Sequence, residues 1–161
     1  MISLKEYMRN TGVTKVKYVE HWLENDWIPR AIKGKNISDT QFPDSARRPY
    51  RSGGLKPGIN AKRLRSHIVK ACILRRHISK ELCFTSAREF EALVSDLEKA
   101  GLISRSVEDG ITYFDSTMKA NAYNKEPLAK LQEFVLVAIE TVSEATAKGA
   151  ITAVLEHQSA G

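Results

Sequence analysis

The sequence predicts a mainly α-helical fold with short β-hairpins, laid out as two helix-and-hairpin modules followed by a C-terminal helix. Three observations carry this expectation. Two capping boxes, Ser3-Leu4-Lys5-Glu6 and Ser86-Ala87-Arg88-Glu89, each open a segment with apolar residues at helical spacing. Glycine and proline punctuate residues 30–58, where only short strand pieces fit. Glu108-Asp109-Gly110 joins two short strand-like segments as a hairpin turn does. At 161 residues and 42% hydrophobic content the chain can bury real cores.

Taken in order, the first capping box starts a short helix to about Arg9, and Asn10-Thr11-Gly12 breaks it. Thr14 is the expected N-cap of a second helix, with Val16, Val19 and Leu23 on one face, Trp22 beside them, and Thr14, Lys17, Tyr18 and His21 opposite. Asp26-Trp27-Ile28-Pro29 ends it, because a proline pushes its predecessor out of helical geometry. Short strands are expected around Ala31-Ile32 and Pro49-Tyr50-Arg51, and Ser52 to Gly58 reads as a linker. A basic helix then runs from about Ala61 to Arg76, a short helix from Ser79 to Cys83, and the second capped helix carries Phe90, Leu93, Val94 and Leu97 up to Gly101. Strands at Leu102 to Val107 and Ile111 to Asp115 complete this module. Helix, short helix, capped helix and hairpin over residues 59–120 is a winged-helix plan. Residues 121–161 supply the last helix, striped by Leu128, Leu131, Val135, Ala138 and Val142, with a bend expected at Gly149.

Charge divides the chain more sharply than the net +6 suggests. Residues 1–83 hold 18 Lys/Arg against 7 Asp/Glu, whereas residues 84–161 hold 7 against 12. Between residues 44 and 80 there are eleven basic residues and one acid, Asp44. Such an excess suits a polyanion, whose phosphates release counterions to it. No apolar run approaches a bilayer span, and Met1-Ile2-Ser3-Leu4-Lys5 lacks the plan of a signal peptide, so no membrane partner and a cytoplasmic location are expected. Reduced thiols are expected at Cys72 and Cys83.

The outer face of the second helix offers Thr14, Lys15, Lys17, Tyr18 and His21, short polar and cationic groups of the kind that reach base edges and phosphates. Residues 1–58 resemble the excisionase and MerR-type winged helix-turn-helix proteins. The resemblance rests on the Gly12-Val13-Thr14 turn, on Trp22-Leu23 followed by Ile28-Pro29, and on the basic-aromatic Arg47-Arg48-Pro49-Tyr50-Arg51. It implies groove contacts from Thr14, Lys15, Lys17, Tyr18 and His21 and wing contacts from Arg47, Arg48 and Arg51, with Tyr50 packing the wing's base. The stretch from Pro29 to Arg47 is longer than that family's wing. With this resemblance and the plan of the following module, the expected architecture is tandem winged helix-turn-helix modules over residues 1–58 and 59–120.

Residues 62–118 resemble the general winged-helix fold of bacterial transcriptional regulators, through Leu97-Glu98-Lys99-Ala100-Gly101-Leu102-Ile103. Here Glu89, Glu91, Asp96 and Glu98 stud the helix that would enter the groove, against Arg88 and Lys99 alone. A protein-contacting or structural role is therefore expected, while Lys62, Arg63, Arg65, Arg75 and Arg76 of the preceding helix stay within reach of phosphates. The C-terminal stripe suits either a second copy of the chain or its own module. His67, Cys72, His77 and Cys83 match no structural-zinc spacing, and no phosphate loop, nucleophile elbow or HExxH pair is present; neither cofactor, metal nor enzymatic activity is expected. The expected partner is double-stranded DNA, bound in transcription regulation or in a recombination or maintenance complex. The competing expectations are a winged-helix protein-interaction adaptor and a tandem winged-helix replication initiator.

Overall fold

The computed structural model describes residues 1–51 and 53–160, with side chains described as far as residue 145. Ser3 Oγ accepts from the Glu6 N–H at 3.2 Å and starts α1 (Leu4–Thr11), and Gly12 stops it with φ of 74°. The second helix, α2 (Val16–Glu24), is capped at Lys15 without a side-chain hydrogen bond, so the expected cap Thr14 lies one residue before the observed cap. Helix α2 buries Val19, Trp22 and Leu23 against Tyr7 of α1, Val13, Ile28, Phe42 and Ala46. Tyr7 and Phe42 stack with ring centroids 4.3 Å apart at the centre of this first core. Phe42 is held there by an antiparallel bridge to Ile2, and Ile32 forms a second bridge with Gln41. Between those last two residues the chain folds back through a 3-10 turn, Ile37–Asp39.

The second core is built on α3 (Ala61–Ile73), whose first turn is closed by Asn60 Oδ1 accepting from the Arg63 N–H at 2.8 Å. This helix stops three residues short of the expected Arg76, since Arg75 takes a φ of 54°. The helix expected over Ser79 to Cys83 is a single turn. Cys83 N–H bonds to the Ser79 carbonyl at 3.0 Å, and Phe84 at φ 55° prevents continuation. Ser86 caps α4 (Ala87–Lys99) at 3.1 Å, and Gly101 at φ 72° releases the chain into β1 (Ile103–Glu108). β1 pairs antiparallel with β2 (Ile111–Ser116), from Ile103 opposite Ser116 to Glu108 opposite Ile111. Both residues of the connecting Asp109-Gly110 loop have positive φ, 53° and 75°, the geometry of a type I′ turn.

A short α5 (Met118–Asn121) leads to α6 (Leu128–Ala160), which is continuous through Gly149 where a bend was expected. Leu131, Val135 and Ala138 of α6 join Leu64, Ile68, Val94, Leu97, Leu102 and Phe114 in one cluster, and Leu128 and Val142 pack at its edge. Burying each such side chain is worth about 1.5–3 kcal/mol. The described chain is thus mainly helical, with six helices and one two-stranded hairpin. The strand pieces expected near residues 32 and 49 are isolated bridges, not hairpin strands.

The two cores are joined through the segment expected to be a wing. Pro49 forms a parallel bridge with His77. His77 N–H bonds to the Arg48 carbonyl at 2.9 Å and Tyr50 N–H to the His77 carbonyl at 2.8 Å. The Tyr50 ring belongs to the second core, Leu55 of the expected linker and the following Ile59 pack on it, and Trp27 touches both cores. The hairpin tip is fastened as well. Asp109 accepts from the Ser45 N–H at 2.9 Å, and the Arg30 guanidinium lies against Gly110.

Candidate nucleic-acid interface

The amphipathic pattern of α2 turns Val19, Trp22 and Leu23 inward and leaves Lys17 and His21 exposed on the other side, with Thr14 and Lys15 exposed at its start. Tyr18 is 44% exposed at the edge between these faces, with Lys17 Nζ 5.5 Å from its ring centre. His21 meets the Trp27 ring edge-on at 5.4 Å. On one flank of α2, Glu20 and Glu24 share a shallow groove with Lys33, Gly34 and Lys35 of the bridged 32–41 segment. Signs are mixed there.

The other flank is one-sided. Tyr18 and Trp22 face Arg48, Pro49, Tyr50 and Arg51 and the end of α3, Leu74 and Arg76, across a groove of about 420 Å³. The His77 bridge is what sets Arg48 beside Arg76. Burial, helped by the Arg48 charge, pulls the Arg76 guanidinium below its ordinary pKa, the mark of a cation short of compensation. Arg48 lies 6.0 Å from the Trp22 ring centre and Arg51 lies 5.6 Å from that of Trp27. Among the described residues, Lys15, Lys17, Arg48, Arg51 and Arg76 make no ion pair with a carboxylate.

The expected site residues therefore separate into three groups. Thr14, Lys15, Lys17, Tyr18 and His21 lie together on or beside α2, with Arg48 and Arg51 along its flank. Arg47 instead points into the protein. Its side chain is 9% exposed, pairs with Asp115 at 2.9 Å, donates to the Phe114 carbonyl at 3.2 Å and lies 4.4 Å above the Tyr113 ring. Arg65 is paired with Asp96 at 3.0 Å, and Lys62 and Arg63 sit at the start of α3, about 17 Å along its axis from the groove at 1.5 Å per residue. The wing contact assigned to Arg47 is corrected accordingly: a side chain clasped inside the junction has no free donor edge for a phosphate.

Two residues gain a place that the sequence reading did not give them. Trp22 had been assigned to packing alone, and Arg76 had been grouped with α3 and not with Arg48. No spacing rule links Arg48 to Arg76, because only the tertiary bridge at His77 brings them together. The acids of α4 are also less free than their number suggests. Arg105 pairs with both Glu91 and Glu98, and Asp96 is held by Arg65. The tip of the β1–β2 hairpin, at Asp109-Gly110, is occupied by Ser45 and Arg30.

Among the described residues no three His, Cys, Asp or Glu side chains gather as a metal site requires. Cys72 and Cys83 are buried, and burial pushes both thiols up to about 12, so neither is a thiolate at neutral pH. No helix among the described residues is long and apolar enough to cross a membrane. Compared with protein-family models, with curated proteins and with solved structures, the chain has no match in any of the three.

Proposed function

We propose that this chain is a sequence-specific binder of double-stranded DNA, acting in transcription regulation or in a recombination or maintenance complex. The observation that carries the proposal is the joined surface of α2 and its arginine flank: Lys15, Lys17 and Tyr18 are exposed, and Arg48, Arg51 and Arg76 stand beside them without a carboxylate partner among the described residues. In this reading residues 1–50 form a winged helix-turn-helix. Helix α2 enters the major groove, Thr14, Lys15, Lys17, Tyr18 and His21 meet bases and phosphates, and the bridged 32–41 segment, with Lys33 and Lys35, takes the place of the wing.

The second module serves as support and as a docking face for a protein. Its hairpin tip is occupied by Ser45 and Arg30, and Val107, on the same hairpin, is 69% exposed. Selection from a random duplex pool with the full-length protein tests the proposal. A recurring motif is expected, and the Lys15→Ala, Lys17→Ala double variant should bind it about 10- to 100-fold more weakly at moderate salt. Failure to enrich any sequence, together with no retardation of duplex DNA at low salt, would remove the reading in favour of an adaptor.

A further inference from the structure

The arginine-lined groove carries more than general attraction. Two N–H donors of its lining residues, Trp22 Nε1 and Arg48 Nε, are buried, have no hydrogen-bond partner among the described residues and become reachable only when a lining side chain shifts. Trp22 itself is only 4% exposed. A buried donor left unsatisfied is costly, and a polar group in this position calls for an acceptor. Both orphans are donors, three guanidinium side chains line the same groove, and among the described residues no carboxylate does; Asp44 and Glu108 line a neighbouring groove with Arg48 and Arg76. The ligand they fit is an anion with several oxygens. The frame is fixed in advance by the backbone bonds between Arg48, Tyr50 and His77, so ordering the groove requires little further entropy.

We propose that this groove is a phosphate seat, in which Arg48, Arg76 and the Trp22 indole N–H hold one backbone phosphate of the duplex read by α2. The inference rests on the DNA reading above and adds to it a defined contact made jointly by both cores. Arg51, 5.6 Å from the Trp27 ring centre, lines the same groove. Pro49 and Leu74 add apolar surface to the groove beside the arginines, though Leu74 is itself 40% exposed.

The test uses full-length protein and its selected duplex, with single phosphates replaced in turn by neutral methylphosphonates. For the native protein, one replacement should weaken binding about 10-fold, in line with the loss of a charge-assisted hydrogen bond. In Arg76→Gln that position should cease to matter while the others keep their effect, and the slope of log K against log salt should fall by about 0.9. Trp22→Phe should blunt the same position, and Arg76→Lys should restore part of the sensitivity. If Arg76→Gln, still folded by circular dichroism, keeps the native sensitivity at every phosphate, the seat is overturned and DNA binding by α2 stands. If the native protein binds no duplex, yet inorganic phosphate raises its Tm and not that of Arg76→Gln, the DNA assignment is overturned in favour of a free phosphate ligand. Protection by an acidic peptide and not by phosphate overturns it too.

Discussion

Arg47, Arg48 and Arg51 are three arginines within five residues, and tertiary neighbours give each a different task. Arg47 closes the junction between the cores through Asp115, Phe114 and Tyr113. Arg47 is buried while Asp115 is 35% exposed, so Arg47→Met loses a half-buried pair and the Phe114 hydrogen bond and should lower the unfolding free energy by about 1–3 kcal/mol in urea titrations. The folded fraction of that variant should keep the native salt slope on DNA, because Arg47 meets no phosphate. His77, in the same joint, is 6% exposed, and burial with the nearby Arg47 charge lowers its pKa from 6.5 to about 4. The unfolded chain therefore binds the extra proton first as pH falls. Stability from neutral His77 is complete above about 6.5 and declines toward pH 4, by up to about 3 kcal/mol at 1.4 kcal/mol per unit. Urea midpoints across that window should fall, and His77→Phe should flatten most of the slope; burial also lowers the His67 pKa, which sustains the remainder. Residue types were plain in the sequence. Their partners were not, since Asp115 and His77 lie far along the chain from the arginines they hold.

Elements with local causes were legible. The serine caps at Ser3 and Ser86, the left-handed glycines Gly12 and Gly101 and the Asp109-Gly110 turn all act within a few residues, and the chain follows each of them. The departures arise where tertiary contact or continuity outweighs a local cue. One glycine costs a helix only about 1 kcal/mol, so Gly149 does not interrupt α6. Of the 32–41 segment only the strand piece at Ala31-Ile32 is legible in the sequence, because its ordered core is one bridged pair without alternating side chains. Its closure depends on Gly34, where a Cβ would come within 2.5 Å of Asp39 Cβ and 2.7 Å of the Asp39 backbone carbon. Gly34→Ala should thus open the fold-back, at a cost of about 1–3 kcal/mol for overpacking. Hydrogen exchange should speed up at the Ile32 and Gln41 amides, whose mutual bonds are 2.8 and 2.9 Å, while the α3 amides stay protected. Equal protection at Ile32 and Gln41 in the variant would contradict this account of the segment.

The charge asymmetry visible in the sequence becomes, in the folded chain, a cationic flank on the N-terminal core and a set of carboxylates tied to Arg65 and Arg105 on the other. The cores share Trp27, the His77 bridge, the Arg47 clasp and the Ser45–Asp109 contact. They should accordingly unfold in one transition. Fluorescence from Trp22, in the N-terminal core, read in Trp27→Phe, should coincide in urea with the loss of helical circular dichroism, which α3, α4 and α6 dominate. An earlier fluorescence transition would mean that the N-terminal core melts alone.

The same clasp bears on how the chain can be dissected. A fragment ended at residue 58, where glycine, proline and the charge pattern invite a cut, would keep Arg47 without Asp115 and the Tyr50 ring without the core that covers it. What such a peptide retained would be chiefly its positive charge, enough to adhere to any polyanion. Deletion mapping would then report bare charge attraction in place of the proposed recognition, so informative variants of this protein are point substitutions in the intact chain.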